Sequence, residues 1–257
     1  MQFARGDHYT LGGTSAGKAL HLSSLGRSTR LYTAVGTDGA AALIIDSLSA
    51  AGVDVVSERV EGPSERHLNL MGPAGARVSL YLTVPRQGPP NFPPGLRDDL
   101  ASASAIVLDL STRSRELADQ AAACGVPIWT DLHDFDGSSS FHQPFLSVAS
   151  YVFMNVDKMP SPLSFLHATV QAGAEAAVCT LGARGAVAVD AKHTVHRVAA
   201  AHVPRIVDTN GAGDAFMAGF LNATLDAASV RDALAAGTVQ ATSALTTKHL
   251  SPLLDGS

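Results

Sequence analysis

The residues best suited to chemistry lie in Asp208–Leu221, which reads D-T-N-G-A-G-D-A-F-M-A-G-F-L. Gly211, Ala212 and Gly213 are small enough for a backbone turn to approach a bound group closely. Behind them Phe216, Gly219, Phe220 and Ala223 recur at helical spacing, so the turn is expected to open a helix with an apolar stripe. The N–H groups at a helix start attract anions, phosphate above all. Asp214 on that first turn would repel a phosphate unless its task is to take a proton from a hydroxyl attacking it. The competing reading is a structural glycine turn with Asp214 placed to suit the helix dipole.

Other polar clusters offer less. Asp131-Leu-His133-Asp134-Phe-Asp136-Gly137 has the look of a cation loop, but the last position of such a loop holds His142 where Glu is required. A polar loop at a strand end is the preferred reading. His193 and His196 sit on a short hairpin with nothing nearby to complete a zinc set, and are read as solvated. A G-x-x-x-x-G-K pattern runs from Gly12 to Lys18, yet Ala19 follows where a phosphate-binding loop needs Ser or Thr. That reading is weak.

The elements that must position these residues follow from composition and periodicity. With 257 residues, 46% of them hydrophobic, the chain can bury a large core as a single domain, 1–257. Its net charge is −5 without a block of like charges, which gives no footprint for nucleic acid. No apolar run nears the roughly 20 residues of a membrane span, and no secretory pattern opens the chain, so a cytoplasmic location is expected. Cys124 and Cys179 both sit among apolar residues and read as buried thiols.

Small residues at Leu11–Lys18 lead into a helix, Ala19–Leu25, stopped by Gly26; a strand at Thr29–Val35 and a helix at Ala40–Ala51 follow. His67–Met71 and Arg77–Val84 are strand-like, and strict alternation in the second marks a sheet with one wet face. With the Pro/Gly-rich loop after them they make 66–90 the candidate β lid. From Ala105 strands at Ala105–Leu110, Val126–Asp131, Tyr151–Asn155 and Ala176–Leu181 alternate with helices around Ser114–Ala123 and Leu163–Ala172. Near-continuous apolar strands between helices argue for a mostly parallel sheet covered on both faces. Ligands then gather beyond the strands' carboxyl ends, where Asp109, Asp131, Asn155 and Thr180 fall. A hairpin of Ala186–Asp190 with Thr194–Ala199 leads into the focal turn, and Val230–Leu245 is the last helix.

Three segments together resemble the ribokinase-like sugar kinases, also called the phosphofructokinase-B family. They are Gly12–Gly26 with the following T-A-V-G-T-D-G and A-G-V-D-V; Cys179–Ala186, C-T-L-G-A-R-G-A; and Asp208–Phe220. The resemblance spans roughly Leu11 to Leu245 and implies an α/β fold, a three-layer α/β/α sandwich with a small β lid. It implies ATP-dependent phosphorylation of a hydroxyl of a small sugar or sugar-derived acid or polyol. By the same resemblance Asp214 is the catalytic base, and Gly211, Ala212 and Gly213 form the anion hole. Thr180, Gly182 and Gly185, with Asn155, lie on the nucleotide side, and Gly12 and Gly13 on the acceptor side. Asp208 and Asn210 match a segment that holds a monovalent cation, K⁺, and Mg²⁺ is expected to arrive with ATP. The lid could also pair two copies of the chain as a homodimer.

Three departures from the family pattern bear on activity. The family's opening strand and its acceptor-binding Asp are expected to be missing, Asp7 being a poor substitute on spacing. Gly17 stands where a sugar-binding Asn is expected. Lys158 takes the Glu position of the N-x-x-E pattern tied to Mg²⁺, with Asp157 one residue early. A nucleoside kinase and a non-catalytic ligand-binding relative are the alternatives.

Overall fold

The computed structural model describes residues 6–72, 77–86 and 88–256. In chain order these form α1 (Thr14–Ser24), β1 (Arg30–Val35), α2 (Gly39–Ala50), β2 (Asp54–Arg59), β3 (Arg66–Met71) and β4 (Arg77–Thr83). Then come α3 (Leu96–Ser102), β5 (Ile106–Val107), α4 (Thr112–Ala122), β6 (Ile128–Asp131), α5 (Gln143–Leu146), β7 (Tyr151–Asn155) and α6 (Leu163–Gln171). The chain closes with β8 (Ala176–Thr180), β9 (Ala186–Asp190), β10 (Val195–Val198), α7 (Ala212–Leu225) and α8 (Val230–Leu245). Two compact units divide them, one of residues 6–86, 203–215 and 241–256, the other of 88–202 and 216–240.

In the first unit β1 and β2 form a two-stranded parallel sheet, Arg30 opposite Asp54 through Val35 opposite Arg59. Parallel neighbours need a crossover, and α2 supplies it. Ala16, Ala19 and Leu20 of α1 meet Leu48, Val53, Leu250 and Leu254 in a common core. β3 and β4 form a separate antiparallel ribbon. Its pairing puts Leu68 beside Leu80 and Leu70 beside Val78, so the apolar residues share one face as the alternation requires. That face is exposed: Leu68, Leu70, Val78, Leu80 and Leu82 range from 42% to 57% accessible. The expectation of one wet and one covered face therefore meets a ribbon wet on both. Residues 73–76 and 87 of the 66–90 segment lie outside the described residues.

The second unit is built on a six-stranded sheet in the order β10-β9-β8-β7-β6-β5. β5 to β8 run parallel, while β9 and β10 turn back as antiparallel neighbours. Strand alternation sends its two faces to different partners. On one side Val152, Met154, Ala177, Cys179, Val187 and Val189 pack against Leu166 and Val170 of α6. On the other, Trp129 and Phe153 meet Phe220 of α7 at 6.0 and 5.3 Å between ring centres. Helices on both faces make this unit three-layered, and burial on both faces explains why its strands read as continuous apolar runs. α7 and α8 approach through glycine: a Cβ on Gly219 would come within 2.8 Å of the Ala236 carbonyl oxygen.

Tyr151–Asn155 and Val230–Leu245 match their expected bounds, whereas others shift. α1 begins at Thr14 rather than Ala19, because Gly13 at φ 99° caps a run of small residues that the helix accepts. β5 shrinks to two residues, since this edge strand finds a partner only in β6 among the described residues. β2 and α3 had no clear signal: Asp54–Arg59 mixes polar and apolar positions, and α3 buries only Leu96 and Leu100. Residues 6–13 form neither helix nor strand. Cys179 is buried, which pushes its thiol up to about 12, but Cys124 is only half-buried, at the end of α4. Among the described residues no helix is long and apolar enough to cross a membrane.

Candidate active site

The focal turn is shaped by its own side chains. Asp208 Oδ1 accepts a hydrogen bond from the Asn210 N–H at 2.8 Å, a turn-setting contact. Gly211 has φ +78°, and a Cβ there would sit 3.2 Å from Leu250 Cδ2 and 3.3 Å from the Leu250 carbonyl oxygen. Glycine is thus required twice over, by backbone conformation and by room. The Ala215 N–H donates to the Gly211 carbonyl at 2.9 Å and begins the helical ladder. Ahead of it the Ala212 N–H donates to the Thr209 carbonyl at 3.4 Å, while helix-start N–H groups in general lack an intrahelical acceptor. Gly213 is exposed, and among the described residues a Cβ added there would meet no atom within 4 Å beyond its own helix and chain neighbours. The turn can be approached closely from that side.

Asp214, one residue on, is 7% exposed. The Lys18 ammonium donates to its Oδ1 at 2.7 Å, and Lys18 is itself only 2% exposed. A buried lysine needs a partner of this kind, since an unpaired charge there is strongly destabilising. Beside it Gly17 lies against the same carboxylate: a Cβ would come within 2.8 Å of Asp214 Oδ2 and 3.0 Å of its Cβ. Position 17 is glycine because Asp214 occupies the side-chain space, so the amide expected there could not fit without displacing the acid. The Gly17 N–H in turn donates to the Gly13 carbonyl at 3.0 Å. This fixes the Gly12-Gly13 entry to α1 near Asp214. Among the described residues a Cβ on Gly12 would meet nothing within 4 Å.

Lys18 entered the sequence reading only as the lysine of a weak phosphate-loop pattern, and its pairing with Asp214 was missed. The signal for that pairing was a charged residue inside the small and apolar run A-G-K-A-L, a placement tolerated only with a partner.

The nucleotide-side candidates belong to the second unit. Asn155 ends β7 and Thr180 ends β8, directly opposite each other in register. Asn155 Oδ1 accepts from the Asp157 N–H at 3.0 Å, and Thr180 Oγ1 donates to the Met154 carbonyl at 3.5 Å. The loop after Thr180 closes where the Leu181 N–H donates to the Gly185 carbonyl at 2.7 Å. Gly182 has φ +61° with nothing near its missing Cβ, whereas Gly185, at φ +92°, would put a Cβ 2.0 Å from the Val198 carbonyl. Gly182 is open to a ligand and Gly185 is needed by the packing. Asp157 and Lys158 are exposed.

The remaining polar clusters are occupied locally. Asp131 Oδ1 accepts from the His133 N–H at 2.9 Å, and Asp136 Oδ1 accepts from the N–H groups of Ser138 and Ser139. His196 Nε2 lies 2.8 Å from Asp190 Oδ2, so this histidine is paired with a carboxylate and is not simply solvated. A concavity of about 390 Å³ lined by Tyr151, Glu175, Asp190 and Lys192 lies where β7 and β8 begin, at the far end of those strands from Asn155 and Thr180.

The model of the pfkB family carbohydrate kinases matches residues 153–254. The acarbose 7(IV)-phosphotransferase of Actinoplanes sp. is 29% identical over 214 residues, 82% of this chain and 72% of that protein. A microbiome-derived acarbose kinase of known structure is 30% identical with a TM-score of 0.79, over 90% of this chain and 79% of that one. The ribokinase of Arabidopsis thaliana, solved with ribose and ATP, shares the fold at 18% identity and a TM-score of 0.77, over 96% and 85% of the two chains. The chain belongs to the pfkB family of carbohydrate kinases, with their ribokinase-like α/β fold.

Proposed function

We propose that this kinase transfers the γ-phosphoryl group of ATP to a sugar hydroxyl with Asp214 as the base and the Gly211–Gly213 turn as the anion hole. The observation that carries this reading is a buried carboxylate on the first turn of α7, directly behind a glycine turn that a ligand can approach. In the step, the acceptor O–H bond breaks and its proton passes to Asp214. The acceptor oxygen forms a bond to the γ-phosphorus, and the bond from phosphorus to the bridging oxygen breaks with its electron pair left on ADP. Such a transfer asks the protein for positioning and for charge stabilisation, and N–H groups aimed at the phosphoryl oxygens supply the second.

Thr180, Gly182, Gly185 and Asn155 would serve the nucleotide, with Gly182 admitting its close approach. Asp208 and Asn210 would shape the segment that holds a monovalent cation such as K⁺. Among the described residues no three His, Cys, Asp or Glu side chains gather as a metal set. This donor pattern suits a Mg²⁺ ion carried in on the nucleotide phosphates, where it would neutralise charge on the transferred group. Acarbose, named in two relatives at 29% and 30% identity, is the acceptor we propose first, ahead of simple sugars and nucleosides. The exposed apolar ribbon of β3 and β4 would act as a lid over the acceptor and as a pairing surface for a second copy. A cytoplasmic location, where ATP is abundant, completes the reading.

The test is Asp214→Asn, nearly isosteric but a poor proton acceptor. ADP release would be followed over acarbose, pentoses, hexoses, sugar acids and nucleosides. Turnover is expected to fall about 10²–10⁴-fold with ATP affinity kept. Near-normal turnover would reject Asp214 as the base.

A further inference from the structure

Asp214 has two carboxylate oxygens in different settings. Oδ1 receives the Lys18 ammonium at 2.7 Å, while Oδ2 lies over the backbone of Gly17 at the point where a side chain would begin. Successive residues of an α-helix point about 100° apart, which lets Gly17 and Lys18 address one acid from two directions. Lysine at 18 clamps it, and glycine at 17 leaves the space that Oδ2 itself fills. A buried pair of this kind costs desolvation that an apolar pair of the same volume avoids, so stability alone is a poor reason for its presence.

We propose that Lys18 is a positioning residue for phosphoryl transfer: by holding Oδ1 it fixes the rotamer that packs Oδ2 against the bare Gly17 backbone, and in that rotamer the carboxylate takes the acceptor hydroxyl's proton. The proposal rests on the reading of Asp214 as the base. An aspartate on a first helical turn has several side-chain rotamers open to it, and only some aim an oxygen at a given hydroxyl. Misplacement by about 1 Å can cost about 10²-fold in rate, so one fixed rotamer matters to turnover more than to binding. The acceptor class that suits this arrangement offers its hydroxyl from a bulky body. Among the described residues nothing lies within 4 Å of a Cβ on Gly12, which leaves the entry to α1 open to such a body.

Four variants test the proposal: Lys18→Met, Lys18→Arg, Asp214→Asn and the double Lys18→Met/Asp214→Asn. ADP release is measured from ATP with acarbose, D-ribose, D-fructose and adenosine in turn, and with water as the default acceptor. Thermal midpoints, ATP titrations and crystal structures accompany the rates. Lys18→Met is expected to fold and bind ATP, to lose about 10²-fold in kcat with little change in KM, and to show Asp214 turned away from Gly17. Lys18→Arg should recover part of that loss. The double variant should be no slower than Asp214→Asn alone, because Lys18 acts through the acid. This comparison carries the test if Lys18→Met fails to fold, since the double variant removes both members of the ion pair. A folded Lys18→Met with kcat within about twofold of the parent, or with Oδ2 still over Gly17, overturns the proposal. A double variant clearly slower than Asp214→Asn also overturns it, by showing that Lys18 acts independently. Near-normal turnover in Asp214→Asn would instead bring down the base reading itself, a separate outcome.

Discussion

Asp214 Oδ2 lies 2.8 Å from the place a Cβ on Gly17 would take, closer than real Cβ atoms approach any neighbour. Gly17→Ala therefore forces either α1 or the acid to shift. The expected result is a loss of turnover of about 10²-fold, with overpacking costing about 1–3 kcal/mol of stability. Steady-state kinetics and urea midpoints separate the two effects. Unchanged kinetics would mean that the acid tolerates displacement.

Gly185→Ala should act on stability first. Its φ of +92° disfavours any side chain, and the added Cβ would fall 2.0 Å from the Val198 carbonyl oxygen, a backbone atom that cannot rotate away. The loop after β8 and the β9–β10 hairpin must separate to admit it. A destabilisation of about 1–3 kcal/mol is expected, read as a lower urea midpoint. Gly182→Ala, with no neighbour near its missing Cβ, bears only the cost of its own positive φ and should be the milder change.

Stability should fall in mild acid. Burial lowers the pKa of His21 below its ordinary 6.5, against a smaller opposing effect of the hydrogen bond to the Leu250 carbonyl at 2.8 Å. The folded chain thus resists protonation here while the unfolded chain accepts it. The stability associated with the neutral ring is fully present above about pH 6.5 and is lost as pH falls toward the lowered value. Burial lowers His142 in the same direction and adds to the effect. Urea midpoints measured from pH 7.5 to 5 should decline, and His21→Asn should flatten part of that slope. An equal slope in the variant would clear His21.

The apolar ribbon offers a test of association. Leu70 on β3 and Leu80 on β4 share its exposed apolar face. Leu70→Glu with Leu80→Glu should leave the fold intact, because neither is buried, and should shift sedimentation toward a single copy. An unchanged sedimentation coefficient across concentrations would count against pairing through this ribbon.

Legibility in the sequence tracked how local the determining interactions are. Asp208–Leu221 could be read because a glycine turn, an acid and a helical stripe are all set within one stretch, and Val230–Leu245 because its period is sustained. The β3–β4 alternation gave the correct sharing of faces, but periodicity carries no information on whether anything covers the apolar one. Lys18 was hidden for a different reason. Its partner lies 196 positions away, and its neighbours suggest a helix or a weak phosphate loop but no acid. Gly17 departs from the family pattern, and the structure adds that Asp214 lies against it. Sequence shows which residue stands at a position and not what already fills the space beside it.

Leu250 touches both halves of this arrangement without belonging to either. Its carbonyl takes the His21 ring, one turn along α1 from Lys18, and its side chain and backbone press against Gly211 of the turn. A systematic mutational survey would therefore mark Leu250 as intolerant beside Lys18 and Asp214 and invite its assignment as a ligand contact. Its intolerance would have another origin. Any change in its shape moves the floor on which the acid's helix and the lysine's helix are jointly aligned, so a conservative Leu250→Ala should weaken stability and turnover together.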